Sequence, residues 1–190
     1  SSPYYNRTIS VVETADRARA DTLLQGAGLE KVGGRWHDGG EPIVLKIGML
    51  ANLNNEAPDL LEYIGNQLGD AGFDRQTAKV GQDEWKQEVI PGNSNFDLVI
   101  GKWSFGLVEE VYDLFHSRGR KNIFTYSDSS VDTILEEYES AITDTEQKDA
   151  YHKLHARLAG ELPYLFLWKL DTKSAWRTEV RGNIIAPYYY

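Results

Sequence analysis

Two spacings of apolar residues divide the chain. Ile43-Val44-Leu45-Lys46-Ile47-Gly48-Met49-Leu50 is nearly continuous, the pattern of a strand covered on both faces. Ahead of it, Ala20, Leu23, Leu24 and Ala27 recur at helical spacing within 16–28, and Gly28 is placed to end that helix. Gly33, Gly34, Gly39 and Gly40 surround Trp36 and predict a loop or hairpin. After the strand, Ala57, Leu60, Leu61, Ile64, Leu68 and Ala71 form one helical stripe, with Pro58 in its first turn and Gly72 as its stop. Residues 73–80 predict a second, more polar strand. Residues 83–90 predict a short helix with Trp85 and Val89 four apart, ended by Pro91-Gly92. Residues 96–102 predict a third strand.

Two longer helices follow. Val131, Ile134, Leu135, Tyr138 and Ile142 make one stripe behind Ser129, an expected N-cap. Ala150, Tyr151, Leu154, Leu158 and Leu162 make the other, behind Asp144 and Gln147 at capping-box spacing. Pro163 closes that helix, and Tyr164-Leu165-Phe166-Leu167-Trp168 predicts a final buried strand. Strand, helix, strand, helix, strand is the order of a mostly parallel sheet flanked by crossover helices. The expectation is one α/β domain over residues 1–190.

Composition changes this picture little. A chain of 190 residues with 41% apolar positions can bury one good core. A formal net charge of −9 argues against a general nucleic-acid-binding role, and Arg118, Arg120 and Lys121, the tightest basic group, resemble a solvated loop. There is no cysteine, which removes disulfides, thiolate metal sites and a cysteine nucleophile from the chain. No apolar run approaches the roughly 20 residues of a membrane span.

Candidate chemistry converges on the end of the third strand. Gly101-Lys102-Trp103-Ser104-Phe105-Gly106 superficially resembles a nucleophile elbow but fails its G-x-S-x-G spacing, so a serine hydrolase built on Ser104 is a distant alternative. His152 and His155, three apart on a helix, could share a metal, yet no third ligand accompanies them; no metal and no cofactor are expected. Glu109-Glu110 and Glu136-Glu137 are adjacent pairs, which diverge on a helix and suit a solvated face. Trp103 and Phe105 remain. Ligands of open α/β sheets sit beyond the carboxyl ends of the strands, where these rings belong. They either face a solute or pack beneath the following helix, and the pattern leaves both open.

The order of motifs resembles the last lobe of family-5 extracellular solute-binding proteins, the dipeptide, oligopeptide and nickel receptors of bacterial ABC importers. Ala18-Arg-Ala-Asp-Thr-Leu-Leu-Gln-Gly-Ala-Gly28 is similar to the family's A-x-x-L-L-x-x-A-G helix. The apolar strand 43–50, the helix ending at Gly72, Asp83-Glu-Trp85, Phe96-Asp-Leu-Val-Ile-Gly-Lys-Trp103, the helix 129–142, Lys148 to Pro163 and Val180-Arg-Gly182 follow in the family's order. The resemblance covers about Glu13 to Pro187.

It implies a lobe of the type II periplasmic-binding-protein fold. Solute would be clamped between this lobe and an N-terminal lobe absent from the chain, then passed to the permease of an ABC importer. The implied setting is the periplasm or the outer face of a bacterial membrane, with no catalysis. It aligns Trp103, Ser104, Phe105 and Gly106 with the family's ligand-contacting turn, and Tyr126 is a further ligand-facing candidate. Peptide-binding members carry an aspartate that pairs with the peptide ammonium where this chain has Gly106, so an uncharged solute becomes plausible unless Glu109 or Glu110 substitutes. The same lobe could instead be the sensor of a solute-responsive transcriptional regulator.

Overall fold

The computed structural model describes residues 4–9, 14–55, 57–90, 95–103, 111–167 and 179. The first helix, α1 (Arg17–Gly26), starts where Asp16 accepts the Arg19 N–H. It ends in a Schellman turn: Leu29 N–H bonds Leu24 C=O, Gly28 N–H bonds Gln25 C=O, and Gly28 takes φ +91°. Its apolar stripe is mostly in solvent, with Leu23 64% exposed, Leu24 half-buried and no residue of the helix buried.

The glycine-rich stretch becomes an antiparallel meander, β1 (Glu30–Val32), β2 (Arg35–Asp38) and β3 (Glu41–Pro42). Gly33-Gly34 and Gly39-Gly40 are its turns, and all four take positive φ, as two-residue hairpin turns demand. Trp36, wholly buried, fastens this meander to the rest of the chain through an indole N–H bond to Ala71 C=O and a backbone bond to Gly72 C=O.

The main sheet is parallel, in the order β5-β4-β6, with β4 (Val44–Leu50) central, β5 (Asp74–Val80) on one edge and β6 (Leu98–Ile100) on the other. Burial of β4 is concentrated in its carboxyl half, at Ile47, Met49 and Leu50, while Val44 is exposed. Helix α2 (Leu60–Ala71) links β4 to β5 and ends at Gly72 as expected. It begins later than the stripe suggested. Pro58 lies in the turn ahead of it, and Asp59, in the left-handed region at φ 68°, opens the helix. A short helix, α3 (Gln82–Glu84), runs on as one π turn over Trp85–Val89, which buries Trp85 and Val89 together under the sheet.

Three helices form the second layer: α4 (Val111–Phe115), α5 (Ser129–Ser140) and α6 (Asp144–Glu161). Val131 and Leu135 of α5 meet Leu154 and Leu158 of α6 and Val111, Leu114 and Phe115 of α4. Both caps differ by one residue from the expectation. Asp128, not Ser129, caps α5 by accepting the Ser130 and Val131 N–H groups. The capping box of α6 is Thr143 with Glu146, not Asp144 with Gln147. In each case the residue before the helix reaches its free N–H groups from extended backbone, which a residue already inside the helix cannot do.

The stripes also overran the helix ends. Ala141 is extended, so Ile142 leaves the helical face and stands 93% exposed. Residues 164–167 are not a buried strand; Leu165, Phe166 and Leu167 are exposed. Trp168 lies outside the described residues.

The glycines offer a paired test. A Cβ at Gly101 would stand 2.8 Å from Trp85 Cζ2, whereas one at Gly160, inside α6, would meet nothing within 4 Å. Gly101→Ala is expected to lose about 1–3 kcal/mol through overpacking against a buried indole. Gly160→Ala is expected to gain about 0.5–1 kcal/mol from helix propensity. Urea unfolding of the two variants checks both signs.

Candidate functional site

Because β4, β5 and β6 are parallel, their carboxyl ends lie together at one end of the sheet, the side on which α/β folds bind ligands. The chain leaves β6 there through Gly101 and Lys102 and arrives at Trp103. Gly101 is required by contact, since the edge of the Trp85 indole occupies the space of its missing Cβ. Trp103 is half-buried and packs against both hydrophobic clusters, that of the sheet and that of the helical layer. The strand-end ring is therefore neither free nor enclosed. One part of it joins the two layers and the rest is open to solvent.

Ser104, Phe105 and Gly106 lie outside the described residues, as do Glu109 and Glu110. The loop carrying Tyr126 is described, and Asn122 organises it. The Asn122 Oδ1 accepts the Tyr126 N–H at 3.0 Å, and its Nδ2 donates to the Tyr126 and His116 carbonyls at 2.7 and 3.1 Å. Thr125, just ahead, is held at φ +51°, a costly conformation for a β-branched residue that these bonds sustain. Tyr126 packs on the same helical cluster as Trp103. Its hydroxyl is enclosed and has no hydrogen-bond partner among the described residues. Burial first, and then the charge of Asp128, raise its phenol above the ordinary tyrosine range.

A residue the sequence pattern did not single out holds this loop from below. His116 is buried and stacks on Tyr112 at 4.2 Å between ring centroids. Its Nδ1 accepts the Arg118 N–H, so the ring proton resides on Nε2, which faces Glu136 Oε1 at 3.5 Å. Asp132 of α5 binds Ser117 through both N–H and hydroxyl, at 2.8 and 2.6 Å. These contacts tie the end of α4 to α5. His116 sits at the end of the stripe Val111, Leu114, Phe115, and that pattern was the only sequence signal of its burial.

His152 and His155 both lie on α6. The His155 ring lies tilted against Tyr5, 5.3 Å between centroids, and burial, then His152, push it below the ordinary imidazole range. Among the described residues no group of three metal-ligating side chains exists. A shallow acidic groove lies elsewhere, between the ends of α5 and α6. It is lined by Glu137, Glu146, Asp149 and Lys153, but Glu137 is paired with Lys153 at 3.0 Å and Glu146 is used by the capping box.

With this geometry the chain can be set beside known proteins. No family model matches the sequence. The chain is similar to the oligopeptide-binding protein AppA of Bacillus subtilis, 24% identical over 132 residues, which make up 68% of this chain and 24% of AppA. It superposes on the structure of AppA in complex with a nonapeptide with a TM-score of 0.74 at 21% identity, over 86% of this chain and 33% of AppA. The fold is that of the ABC-importer solute-binding proteins.

Other neighbours with this solute-binding fold differ in what they hold. NikZ of Campylobacter jejuni, solved with Ni(L-His), matches with a TM-score of 0.63 at 17% identity, over 81% of this chain and 32% of NikZ. A periplasmic oligopeptide-binding protein of Thermotoga maritima, solved with mannohexaose bound, matches with a TM-score of 0.66 at 20% identity, over 78% and 30%. The chain thus spans a third or less of the length of these relatives. Among the described residues no helix is long and apolar enough to cross a membrane.

The enclosed hydroxyls give a pH prediction. Burial pushes the Tyr164 phenol up to about 12, and its hydroxyl, like that of Tyr126, has no partner among the described residues. Unfolded tyrosine titrates near 10, so above that pH the folded state keeps protons that the unfolded state has released. Stability should hold below pH 10 and fall as pH climbs toward 12. Tyr164→Phe removes an enclosed hydroxyl with no partner among the described residues. It should leave the neutral-pH melting temperature unchanged or raise it by about 2–4 °C, since an unpaired buried hydroxyl costs stability, and make the alkaline decline shallower, readable by thermal melts from pH 7 to 12.

Proposed function

We propose that this chain is the C-terminal lobe of a solute receptor serving an ABC importer, a binding module without catalysis. Solute is clamped between it and an N-terminal lobe supplied by the remainder of a longer polypeptide, on the periplasmic or outer face of a bacterial membrane, and handed to the importer's permease. The observation that carries this reading is Trp103: a half-buried indole at the carboxyl end of a parallel strand, on a fold shared with AppA and NikZ.

In this reading Trp103 stacks on the solute, Ser104 offers a hydrogen bond, Phe105 adds apolar surface and Gly106 permits close approach. Tyr126 lines the same end of the lobe. A receptor for free peptides must neutralise an α-ammonium, and a buried ammonium without a counter-charge is costly. Gly106 supplies none, so the solute is uncharged at this contact or is matched by Glu109 or Glu110. That a relative of the same fold was solved with mannohexaose and another with a nickel complex supports a scaffold open to several solute classes.

The test uses the full-length polypeptide. Native mass spectrometry of protein from its host identifies the co-purified solute, and calorimetry then measures its affinity. Trp103→Ala should weaken binding about tenfold or more, the usual effect of losing a buried aromatic contact. Because Trp103 also joins the two cores, Trp103→Phe is the companion: it should keep the melting temperature closer to wild type while still weakening the solute. Wild-type affinity in both variants would sink the assignment.

A further inference from the structure

The first described residues lie along α6 as a strap. The Tyr4 ring rests against Tyr151 at 5.8 Å between centroids, and its hydroxyl donates to Gln147 Oε1 at 3.4 Å. The Tyr5 ring is tilted against His155. Asn6, 9% exposed, donates from Nδ2 to the His152 carbonyl at 3.4 Å. Its Oδ1 accepts the Thr8 N–H and hydroxyl at 3.0 and 2.7 Å, which fixes the turn that follows. Gln147, Tyr151 and His155 are spaced at i, i+4 and i+8, so the strap follows one face of the helix.

The contact encloses two imidazoles. His152 Nε2 is buried with no partner among the described residues. His155 is half-buried, faced by the Tyr5 ring from the strap and by His152 from its own helix. Nothing negative offsets a charge there. No carboxylate acts on His155, and the nearby cations of α6 are paired elsewhere, Arg157 with Asp128 and Glu161 and Lys153 with Glu137. A charged imidazole needs water or a counter-charge; the docked strap restricts the first and supplies none of the second.

We propose that residues 4–6 form a proton-operated latch on α6, docked while His155 is neutral and released when His155 takes up a proton. The proposal goes beyond the receptor reading and does not depend on it. The sign follows from linkage. Burial, then His152, hold the docked imidazole below its ordinary range. Lifting the strap exposes it to water, where histidine titrates near 6.5. Above that pH His155 is neutral in both states and docking is intact. Below it the lifted state binds a proton that the docked state resists. Docking therefore weakens as pH falls, by at most about tenfold for each pH unit per proton.

NMR of the 190-residue chain tests the latch. At pH 7.5 the Tyr5 ring should show nuclear Overhauser contacts to the His155 ring, and the Tyr4 ring to Tyr151. At pH 5 both should fade at least severalfold, while the amides of α6 remain slow to exchange. His155→Phe keeps a ring that cannot be charged, so its strap should stay docked at pH 5. His155→Gln loses the ring as well as the charge, and its Tyr4–Tyr151 contact should be equal at the two pH values. Contacts that persist at pH 5 in the unaltered chain overturn the proposal, as does their absence at pH 7.5. Acid release in either variant also overturns it, by placing the proton on another group. So does release accompanied by fast exchange throughout α6, which is acid unfolding of the domain.

Discussion

One side chain, Trp103, touches both hydrophobic clusters, and the structure depends on that junction. The sheet has its own core around Ile47, Met49 and Val80; the helical layer has another around Val131, Leu135 and Leu154. A rigid indole at the end of β6 is suited to joining them, because it offers a large apolar area with little rotamer freedom to lose. Gly101 makes the placement possible by letting Trp85 close against the strand end. Under the proposed function, a residue so placed would couple a contact at its solvent side to both layers.

The charged residues mostly serve joints and have little to do with the site. Asp128 caps α5 and takes two bonds from Arg157 of α6, at 2.6 and 2.9 Å, which holds the Asp128 carboxyl below its ordinary range. Of the basic group Arg118, Arg120, Lys121, the two arginines are exposed as the sequence suggested and Lys121 is half-buried; Arg118 meets Glu136 at 3.1 Å and Arg120 meets Asp113 at 2.9 Å. Pairs this exposed contribute little individually. Their value is directional, because they fix the loop between α4 and α5 that carries Asn122 and Tyr126.

The backbone frame was largely legible from the residues. Near-continuous apolar runs marked β4 and β6, glycine pairs marked the meander turns, and Gly28 and Gly72 marked helix ends, because each is a local conformational demand. The candidate site was legible in location only. Trp103 could be placed at a strand end, but its sharing between two cores needed the packing of α4 to α6. The Asn122 bracket joins residues only four and six apart, but apolar spacing does not register side-chain bonds to backbone, and the faces that enclose His116 come partly from α5, through Asp132 and Glu136.

The errors show where local reasoning ends. Ser129 and Asp144 carry good capping side chains, yet Asp128 and Thr143 cap, since the extended residue ahead of a helix reaches its free N–H groups. Ile142 and Leu162 continue a periodicity whose helix has already stopped. Tyr164 to Leu167 have the composition of a buried strand but lack a cover within the described residues. By itself, then, the sequence determined most of the elements, their order and their turns, though not α4, and these follow from backbone sterics and from the period of apolar positions. Only the tertiary structure decided which apolar faces are buried, which hydroxyls are enclosed and which ring joins the layers. Burial depends on what the rest of the chain, or a longer one, brings to the other side.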